Sequence, residues 1–295
     1  MGPQQAPGYG RLPLQGRLHP GRARHTGGPR QRPTHEAERG SGEKAQARMR
    51  LSVLGDIHAN LYALQAVLAD IDRGEPGPLY HVGDLVGYAP FADEVVDLIT
   101  TRDIRGVRGN YDDAVGYAKD SCGCKVGSPR DAELTHSSLQ WTLNHTSDRT
   151  RNRLLSLPDE IRIYAAGRSV VIVHGSPRRI NEYVLEDRTD ESLLRLAEAA
   201  AADVLIYGHT HLPYHRAVED RHFINVGSVG RPVDGDARAC WALINLGAHV
   251  AVHFHRVGYD VEAAAGAVRG SGLPEEFADV LIHGGKVAGK GNDAG

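Results

Sequence analysis

The chain has 295 residues, of which 41% are hydrophobic, enough apolar material for one large domain or two small ones. Its formal net charge of −3, with both signs intermixed, excludes a surface built mainly to hold nucleic acid, although it leaves room for a local basic segment. No apolar run approaches the roughly 20 residues that cross a bilayer, and the N-terminus lacks the apolar block of a secretion signal. Three cysteines are too few for a disulfide framework. We therefore expect a cytoplasmic protein with no membrane partner.

The first 48 residues are rich in Gly, Pro, Arg and Gln and have almost no apolar periodicity. Such a segment cannot offset the entropy of ordering itself, so we predict that 1–48 is a disordered tail. Its arginines could form an arm that binds RNA or another anion, but a dispensable tail is the simpler interpretation. Translation could also begin at Met49, because a strand is predicted directly after it. The last segment, 286–295, is predicted to be a flexible C-terminus.

Between residues 49 and 285, short apolar runs that end in Gly, Asp, His or Asn alternate with stretches of helical period, which is typical of an α/β fold. The later strands have no predicted helix between them, so we expect them to pair as antiparallel neighbours. The predicted strands cover 50–55, 79–82, 104–107, 161–164, 170–173, 204–207, 223–226, 242–246 and 250–256. The predicted helices cover 60–73, 91–100, 132–145, 149–155, 261–268 and 275–282.

Two of these helices, 132–145 and 149–155, interrupt the alternation of strands and helices. We interpret the segment from about 130 to 157 as a helical insertion that could act as a cap. Pro158 closes it, because proline cannot continue a helix.

Polar side chains follow five of the predicted strands. In open α/β sheets, ligands bind in the crevice outside the carboxyl ends of the strands, so residues far apart in sequence can converge there. Asp56 and His58 are separated by one residue, and so are His209 and His211. Alternate side chains of extended backbone project to the same side, so each pair can face one cavity. We predict a metal site made of seven residues: Asp56, His58, Asp84, Asn110, His174, His209 and His211.

Taken singly, each of these residues has a structural explanation. Asp56 could cap the following helix, and His174 could be a buried, hydrogen-bonded core histidine. The ordered set D-x-H, G-D, G-N, H-G and G-H-x-H at successive strand ends is improbable by chance and favours the metal site. Hard oxygen ligands mixed with imidazoles suit Mn²⁺, Fe or Zn²⁺, and we expect Mn²⁺ first.

The sequence resembles the calcineurin-like metallophosphoesterase superfamily through GDIHAN at 55–60, GDLVGY at 83–88, GNYD at 109–112, HGSP at 174–177 and GHTH at 208–211. The resemblance covers nearly all of the chain after residue 49. It implies a two-sheet sandwich flanked by helices, with two divalent metal ions above the strand ends. By that resemblance the first metal is held by Asp56, His58 and His211, the second by Asn110, His174 and His209, and Asp84 bridges them.

The resemblance also implies a reaction. Two divalent cations can activate a water between them, as a bridging hydroxide, against a phosphate ester, and no protein nucleophile is needed. We expect a phosphodiesterase that acts on small or cyclic nucleotides. A phosphomonoesterase or protein phosphatase is the alternative, and a non-catalytic binding scaffold is an alternative of another class. Nucleic-acid processing assisted by the basic tail is less favoured. The oligomeric state stays open.

One position departs from the family pattern. Many relatives carry histidine directly after the Gly-Asn, where it can protonate the leaving group, whereas this chain has Tyr111. A tyrosine with an ordinary pKa of roughly 10 is a poorer match to neutral pH. We therefore predict either a substrate with a good leaving group or another acid, His136 or His145, supplied by the helical insertion.

Three arginines are candidate substrate contacts. Arg178 and Arg179 follow HGSP and could fork onto a phosphate, although a solvated turn explains them equally well. Arg231 lies in the segment NVGSVGRP and could also reach the substrate. Cys122 and Cys124 could bind a separate metal or respond to oxidants, but two thiols without matching partners make a weak site, and we expect a plain exposed loop there.

Overall fold

The structure is a computed structural model that describes residues 48–285; apart from residue 48, the predicted tail and the predicted flexible C-terminus lie outside the described residues. The helices and strands follow in this order: β1 (Met49–Leu54), α1 (Leu61–Asp72), β2 (Leu79–His81), α2 (Ala92–Thr101), β3 (Arg105–Gly106), α3 (Asn110–Gly116), α4 (Pro129–His145), α5 (Asp148–Leu155), β4 (Ile161–Ala165), β5 (Arg168–Ile172), α6 (Asp190–Ala200), β6 (Val204–Tyr207), β7 (Tyr214–Val218), β8 (Arg221–Asn225), β9 (Ala239–Leu246), β10 (Ala251–Val257), α7 (Val261–Gly270) and α8 (Glu276–His283).

Two five-stranded sheets pack face to face and carry helices on their outer sides. The strand order is β10-β9-β1-β2-β3 in one sheet and β4-β5-β6-β8-β7 in the other. The core between them is made of branched aliphatic side chains, including Val53, Val82, Ile172 and Ile206. A run of such residues favours strands that are buried on both faces. The predicted sandwich of two sheets flanked by helices is confirmed.

The antiparallel pairing expected for the later strands is confirmed for β4 with β5 and for β9 with β10, but it is wrong for β6 in the second sheet. β6 pairs in parallel with both β5 and β8. The missed element is α6, which connects β5 to β6; a parallel pair requires such a crossover. Its pattern was readable, because Leu193, Leu196 and Ala200 recur at helical spacing and Thr189 caps the helix by accepting from the Ser192 amide. Two further elements, α3 and β7, were not predicted from the sequence.

The predicted helical insertion corresponds to α4 and α5, and it is joined to the C-terminal helices. Leu139 of α4 and Leu154 of α5 are fully buried in the same core cluster as Tyr111. The indole of Trp141 donates to the carbonyl of Ser271, between α7 and α8, at 2.9 Å. The insertion is therefore packed onto the sandwich and contacts the end of the described chain.

Among residues 48–285, no helix combines the length and the apolar character that a membrane crossing demands. The cytoplasmic location stays a prediction from the sequence.

Candidate metal centre

The turns that follow the strands have an unusual backbone conformation. Asp56, His58, Asp84, His209 and His211 all have positive φ, between 47° and 65°. A left-handed conformation at residues other than glycine costs about 1–3 kcal/mol each and persists only where the surroundings fix it. The side chains therefore reach one cavity through tight left-handed turns, and the extended backbone assumed in the sequence analysis is wrong here. Backbone bonds brace the turns, such as the His58 amide to the Asp84 carbonyl at 2.9 Å.

The first group of ligand atoms comes from Asp56, His58 and His211, all of which are buried. The Nε2 atoms of the two histidines lie 3.1 Å apart, and a carboxylate oxygen of Asp56 lies 3.4 Å from Nε2 of His211. Asp56 does not cap the following helix, because the side chain of Asn60 does so by accepting from the Ala63 amide. The helix-cap explanation for Asp56 is thus wrong, and its carboxylate instead accepts from the His209 amide at 3.1 Å.

The second group comes from Asp84, His174 and His209, with Asn110 beside them. Nε2 of His174 lies 2.8 Å from Oδ1 of Asn110 and 3.2 Å from Nδ1 of His209. Oδ2 of Asp84 is 3.5 Å from Nε2 of His174 and 3.7 Å from Nε2 of His58 in the first group. The carboxylate of Asp84 therefore lies between the two groups, where a bridging ligand would have to be.

The hydrogen bonds on the outer sides of the rings fix which nitrogens carry protons. Nδ1 of His58 faces the carbonyl of Val86 at 3.0 Å, Nδ1 of His174 faces that of Val82 at 2.8 Å, and Nδ1 of His211 faces that of Arg231 at 2.6 Å. A carbonyl only accepts, so each Nδ1 must carry the proton, and Nε2 of each neutral ring presents a lone pair. These carbonyls are the tautomer-fixing partners that the sequence could not name.

Lone pairs consequently face one another without a hydrogen between them. This holds for His58 against His211, and for His174 against Asn110, whose amide donates on its other side to the carbonyl of Cys122 at 3.0 Å. Converging acceptors repel unless a cation lies among them. Imidazole nitrogens and amide and carboxylate oxygens are ligands for Mn²⁺, Fe and Zn²⁺, so the donor set fits two divalent metal ions.

Burial shifts the ionisation of the histidines in the direction that metal binding requires. It lowers the pKa of His58 and His174 below the usual value and that of His209 to about 3, so the rings are neutral. Burial also raises the pKa of Asp84, and repulsion by Asp112 and Asp56 raises it further. A buried cluster of carboxylates is strongly disfavoured without compensating charge, and bound cations would supply that charge.

Asp112 is a supporting residue to which the sequence analysis gave no role. Its carboxylate accepts from the Leu85 amide at 2.8 Å and from the Gly109 amide at 2.9 Å, while the Tyr111 amide donates to Asp84 at 2.8 Å. Burial raises the pKa of Asp112 to about 6. Asp112 stands three positions after Gly109, which precedes α3, and its side chain reaches back to the Gly109 amide as in a capping box; the role was missed because α3 itself was not predicted. Asp112 holds together the turns that carry Asp84 and Asn110.

A cavity of about 460 Å³ opens beside the metal ligands. One wall comes from the first half of α4, with Leu134 and Thr135, and another from α8, with Phe277 and Val280. The helical insertion therefore forms part of the roof over the site. Among the described residues that line this cavity, the histidines are all candidate metal ligands: His58, His209 and His211.

The predicted acids differ in where the structure places them. His136 and His145 are exposed on α4 away from the cavity, and His145 stacks on Trp141 at 3.9 Å between ring centroids. Tyr111 lines the cavity but is fully buried, and its hydroxyl lies 3.5 Å from the carbonyl of Thr135 in α4. Burial raises its pKa well above the usual value. The structure brings neither histidine to the candidate metal centre.

The three predicted arginines differ in their positions relative to the cavity. Arg178 is paired with Glu182, and both Arg178 and Arg179 are exposed outside the cavity lining. Arg231 lines the cavity, with its guanidinium carbon 4.2 Å from the centroid of the Tyr88 ring. Its Nε is buried and has no hydrogen-bond partner within residues 48–285. Of the three, only Arg231 is near the ligands.

The cysteine segment is not the plain exposed loop that the sequence analysis expected. Cys122 and Cys124 are joined by a disulfide, with their Cα atoms 5.5 Å apart. Cys122 is buried, and Cys124 lines the cavity. The short spacing of the pair was visible in the sequence, but its burial against Asn110 was not.

Two sheets carry two adjacent groups of candidate metal ligands beside the carboxyl ends of their strands. This arrangement is typical of metal-dependent phosphoesterases with a site for two cations. The chain belongs to the calcineurin-like phosphoesterase superfamily, whose domain matches residues 49–248. The resemblance drawn from the sequence motifs is confirmed.

Individual relatives support this membership. The chain is 29% identical over 253 residues to the uncharacterized protein MJ0912 of Methanocaldococcus jannaschii, covering 79% of this chain and 98% of that protein. A metallophosphoesterase from Sphaerobacter thermophilus has 29% identity and a TM-score of 0.64, over 80% of this chain and 99% of that one. The hypothetical protein PH1004 from Pyrococcus horikoshii shares the fold at a TM-score of 0.71, with 24% identity over 81% of this chain and 99% of that one.

Replacing the central carboxylate should weaken both metal positions. Asp84→Asn keeps the shape of the side chain but removes the charge between the two groups, so we expect Mn²⁺ affinity at both positions to fall by at least about tenfold. The measurement is a Mn²⁺ titration of chelator-stripped protein. The matched control is Asp97→Asn, at an α2 carboxylate that pairs with Arg149 of α5. Full occupancy by two ions in Asp84→Asn would contradict the bridging position.

Proposed function

We propose that the protein hydrolyses phosphodiesters of small nucleotides, using two divalent cations, with Mn²⁺ first and Fe or Zn²⁺ as alternatives. One observation carries the proposal: two sets of converging lone pairs lie beside an arginine that has no acidic partner within residues 48–285. The first feature fits metal ions, and the second fits an anion next to them. A phosphate ester is the substrate that satisfies both.

Arg231 is the proposed phosphate contact. A guanidinium that is partly buried without an acidic partner is costly, and phosphate oxygens accept from it in a forked geometry. Its position over the Tyr88 ring restricts the guanidinium to one side of the cavity, beside His58 and His211. A substrate phosphate at the metal centre would therefore meet Arg231 on one of its oxygens.

The remainder of the cavity favours a small organic group over a protein chain. Its volume of about 460 Å³ is within the range of small-molecule sites. Tyr88, Tyr183 and Phe277 contribute aromatic surface, and the Tyr183 ring lies 4.2 Å from that of His209. A planar nucleobase packs well on such rings. The roof formed by α4 and α8 restricts access, which favours a nucleotide substrate over a phosphorylated protein.

The residues would divide the work as follows. The seven predicted ligands would hold the cations in fixed ring, amide and carboxylate orientations, and Arg231 would orient the phosphate. When bound, the two cations supply Lewis-acid charge and lower the pKa of a water molecule. Among the described residues that line the cavity, every histidine is a candidate ligand, so we propose a substrate whose leaving group departs without a histidine acid.

The direct test is the initial rate of hydrolysis of bis(p-nitrophenyl) phosphate compared with p-nitrophenyl phosphate. Chelator-stripped protein is resupplied with Mn²⁺, Zn²⁺ or Fe²⁺ in turn. We expect metal-dependent cleavage with the diester faster, followed by cleavage of nucleotide diesters. A faster monoester would favour a phosphomonoesterase, and no cleavage of either ester with any metal would favour a binding scaffold.

Loss of the cavity arginine should weaken catalysis without loss of metal. A hydrogen bond to a charged group contributes about 1.5–3 kcal/mol, so Arg231→Gln should lower kcat/KM by roughly tenfold to hundredfold. Arg179→Gln, at an exposed position outside the cavity, should leave kcat/KM within about twofold. Metal content is measured in both variants. Equal kinetics in the two variants would remove Arg231 from the site.

Removal of the Tyr111 hydroxyl should have little effect on turnover. The hydroxyl is buried and lies against α4, so we expect Tyr111→Phe to change kcat by less than about threefold on both a p-nitrophenyl ester and an ester with a poor leaving group. A general acid contributes roughly 10²–10⁴-fold. A loss of that size, confined to the poor leaving group, would instead establish Tyr111 as the proton donor.

A further inference from the structure

The disulfide of Cys122 and Cys124 lies directly behind one of the candidate metal ligands. The side-chain amide nitrogen of Asn110 donates to the carbonyl of Cys122 at 3.0 Å and to the sulfur of Cys124 at 3.2 Å. An amide that donates on one side must present its oxygen on the other. That oxygen is the one that lies 2.8 Å from Nε2 of His174. The cysteine segment therefore sets which atom of Asn110 faces the second metal position.

The same segment is braced by the loop that follows His174. The side chain of Asn181 donates to the carbonyl of Gly123, between the two cysteines, at 2.9 Å. Gly123 has a φ of +69°, and a Cβ at this position would come within 2.5 Å of the Asn181 side chain. The turn thus needs glycine both for its conformation and for this close approach. Hydrogen bonds from Asn110 and Asn181 hold this turn at the carbonyls of Cys122 and Gly123. Any change in the separation of the two sulfur atoms therefore acts on both bonds.

We propose that Cys122 and Cys124 form a reversible dithiol–disulfide pair that responds to low-molecular-weight thiols and disulfides and sets metal affinity at Asn110. This rests on the proposed function only in assigning a metal to Asn110. Cys124 lines the cavity and is the more exposed of the two, so it is the sulfur that a small disulfide reaches first. Cys122 is the buried resolving partner.

The exchange balances in two steps. The thiolate of Cys124 attacks a small disulfide RSSR, forming a mixed disulfide and releasing one RSH with the proton from the Cys124 thiol. The thiolate of Cys122 then attacks the Cys124 sulfur, forming the internal disulfide and releasing the second RSH. The two cysteines lose two electrons in total, and RSSR gains them. Reduction by excess RSH reverses both steps.

The two states hold Asn110 differently. In the disulfide state, the Cys122 carbonyl and the Cys124 sulfur are both held where they accept hydrogen bonds from the Asn110 amide nitrogen, and Oδ1 of Asn110 faces His174. Two free thiols need more separation than two bonded sulfurs, so reduction must displace Cys122 or Cys124 and loosen at least one of these acceptors. Partners that orient a metal ligand affect metal affinity by about 10–100-fold. The reduced protein should therefore bind the second ion more weakly.

The first measurement follows the pair alone. The chain has three cysteines, and the third, Cys240, is buried and free. Cys240→Ala leaves Cys122 and Cys124 as the only thiols. This variant is equilibrated in buffers with graded ratios of reduced to oxidised glutathione. Free thiols are then alkylated, and the mass of the protein is measured by mass spectrometry. We expect a two-electron transition between zero and two alkylated thiols. Two free thiols at every ratio, or a disulfide that no reductant opens, would overturn the proposal.

The second measurement reads the metal positions in the two states. Chelator-stripped Cys240→Ala is titrated with Mn²⁺, oxidised and after reduction by a phosphine. We expect binding of the second ion to be about tenfold or more weaker after reduction, with the first ion little changed. The matched control adds Cys124→Ser, which cannot form the disulfide, and should give the weak second affinity in both conditions.

The outcomes separate this proposal from the proposed function. Two Mn²⁺ ions bound equally well in both states would overturn the redox control while leaving the metal centre intact. Failure to bind Mn²⁺ in either state would count against both. A redox-dependent affinity that persists in the Cys124→Ser variant would show that the pair is not its cause.

Discussion

The buried carboxylate of Asp84, between two groups of unprotonated ring nitrogens, is the feature on which the arrangement of the site depends. It lies 3.5–3.7 Å from a histidine of each group and has two further carboxylates, Asp56 and Asp112, near enough to raise its pKa. Mutual repulsion destabilises such a cluster of carboxylates, and positive charge inside it would relieve that repulsion. The surrounding elements serve to bring these groups to one point. Parallel central strands place their carboxyl ends at one edge, and the turns bond to one another there.

Strain in these turns is offset by hydrogen bonds that also select the ligand atoms. Of the twelve described residues other than glycine at positive φ, five carry candidate ligands, and backbone strain at such positions is typical of functional sites. The carbonyls of Val82, Val86 and Arg231 accept from the ring nitrogens on the outer side and so orient the lone pairs inward. Hydrogen bonds to the backbone carbonyls of neighbouring turns thus orient the ligand atoms within the protein itself.

Much of this was predictable from the sequence, because a strand that ends in a polar motif is a local pattern. The sandwich, the insertion and the convergence of Asp56, His58 and His211 follow from such patterns. The parallel pairing of β6 could be predicted only by recognising α6. The left-handed turns depend on hydrogen bonds between distant loops, such as that from the His58 amide to the Asp84 carbonyl. The positions of Arg178, His136 and His145 relative to the cavity are likewise set by tertiary packing. No pattern in a single segment contains that information.

The roof of the cavity comes from two segments that have different relations to the family. The family domain ends at residue 248, whereas α8, which supplies Phe277 and Val280 to the wall, lies beyond it. Trp141 and Arg130 of α4 join this C-terminal part to the insertion through Ser271 and Glu276. The candidate metal ligands therefore lie inside the family domain, whereas part of the cavity wall lies outside it. A change in α8 would alter the shape of the cavity and leave the side chains of the candidate metal centre in place.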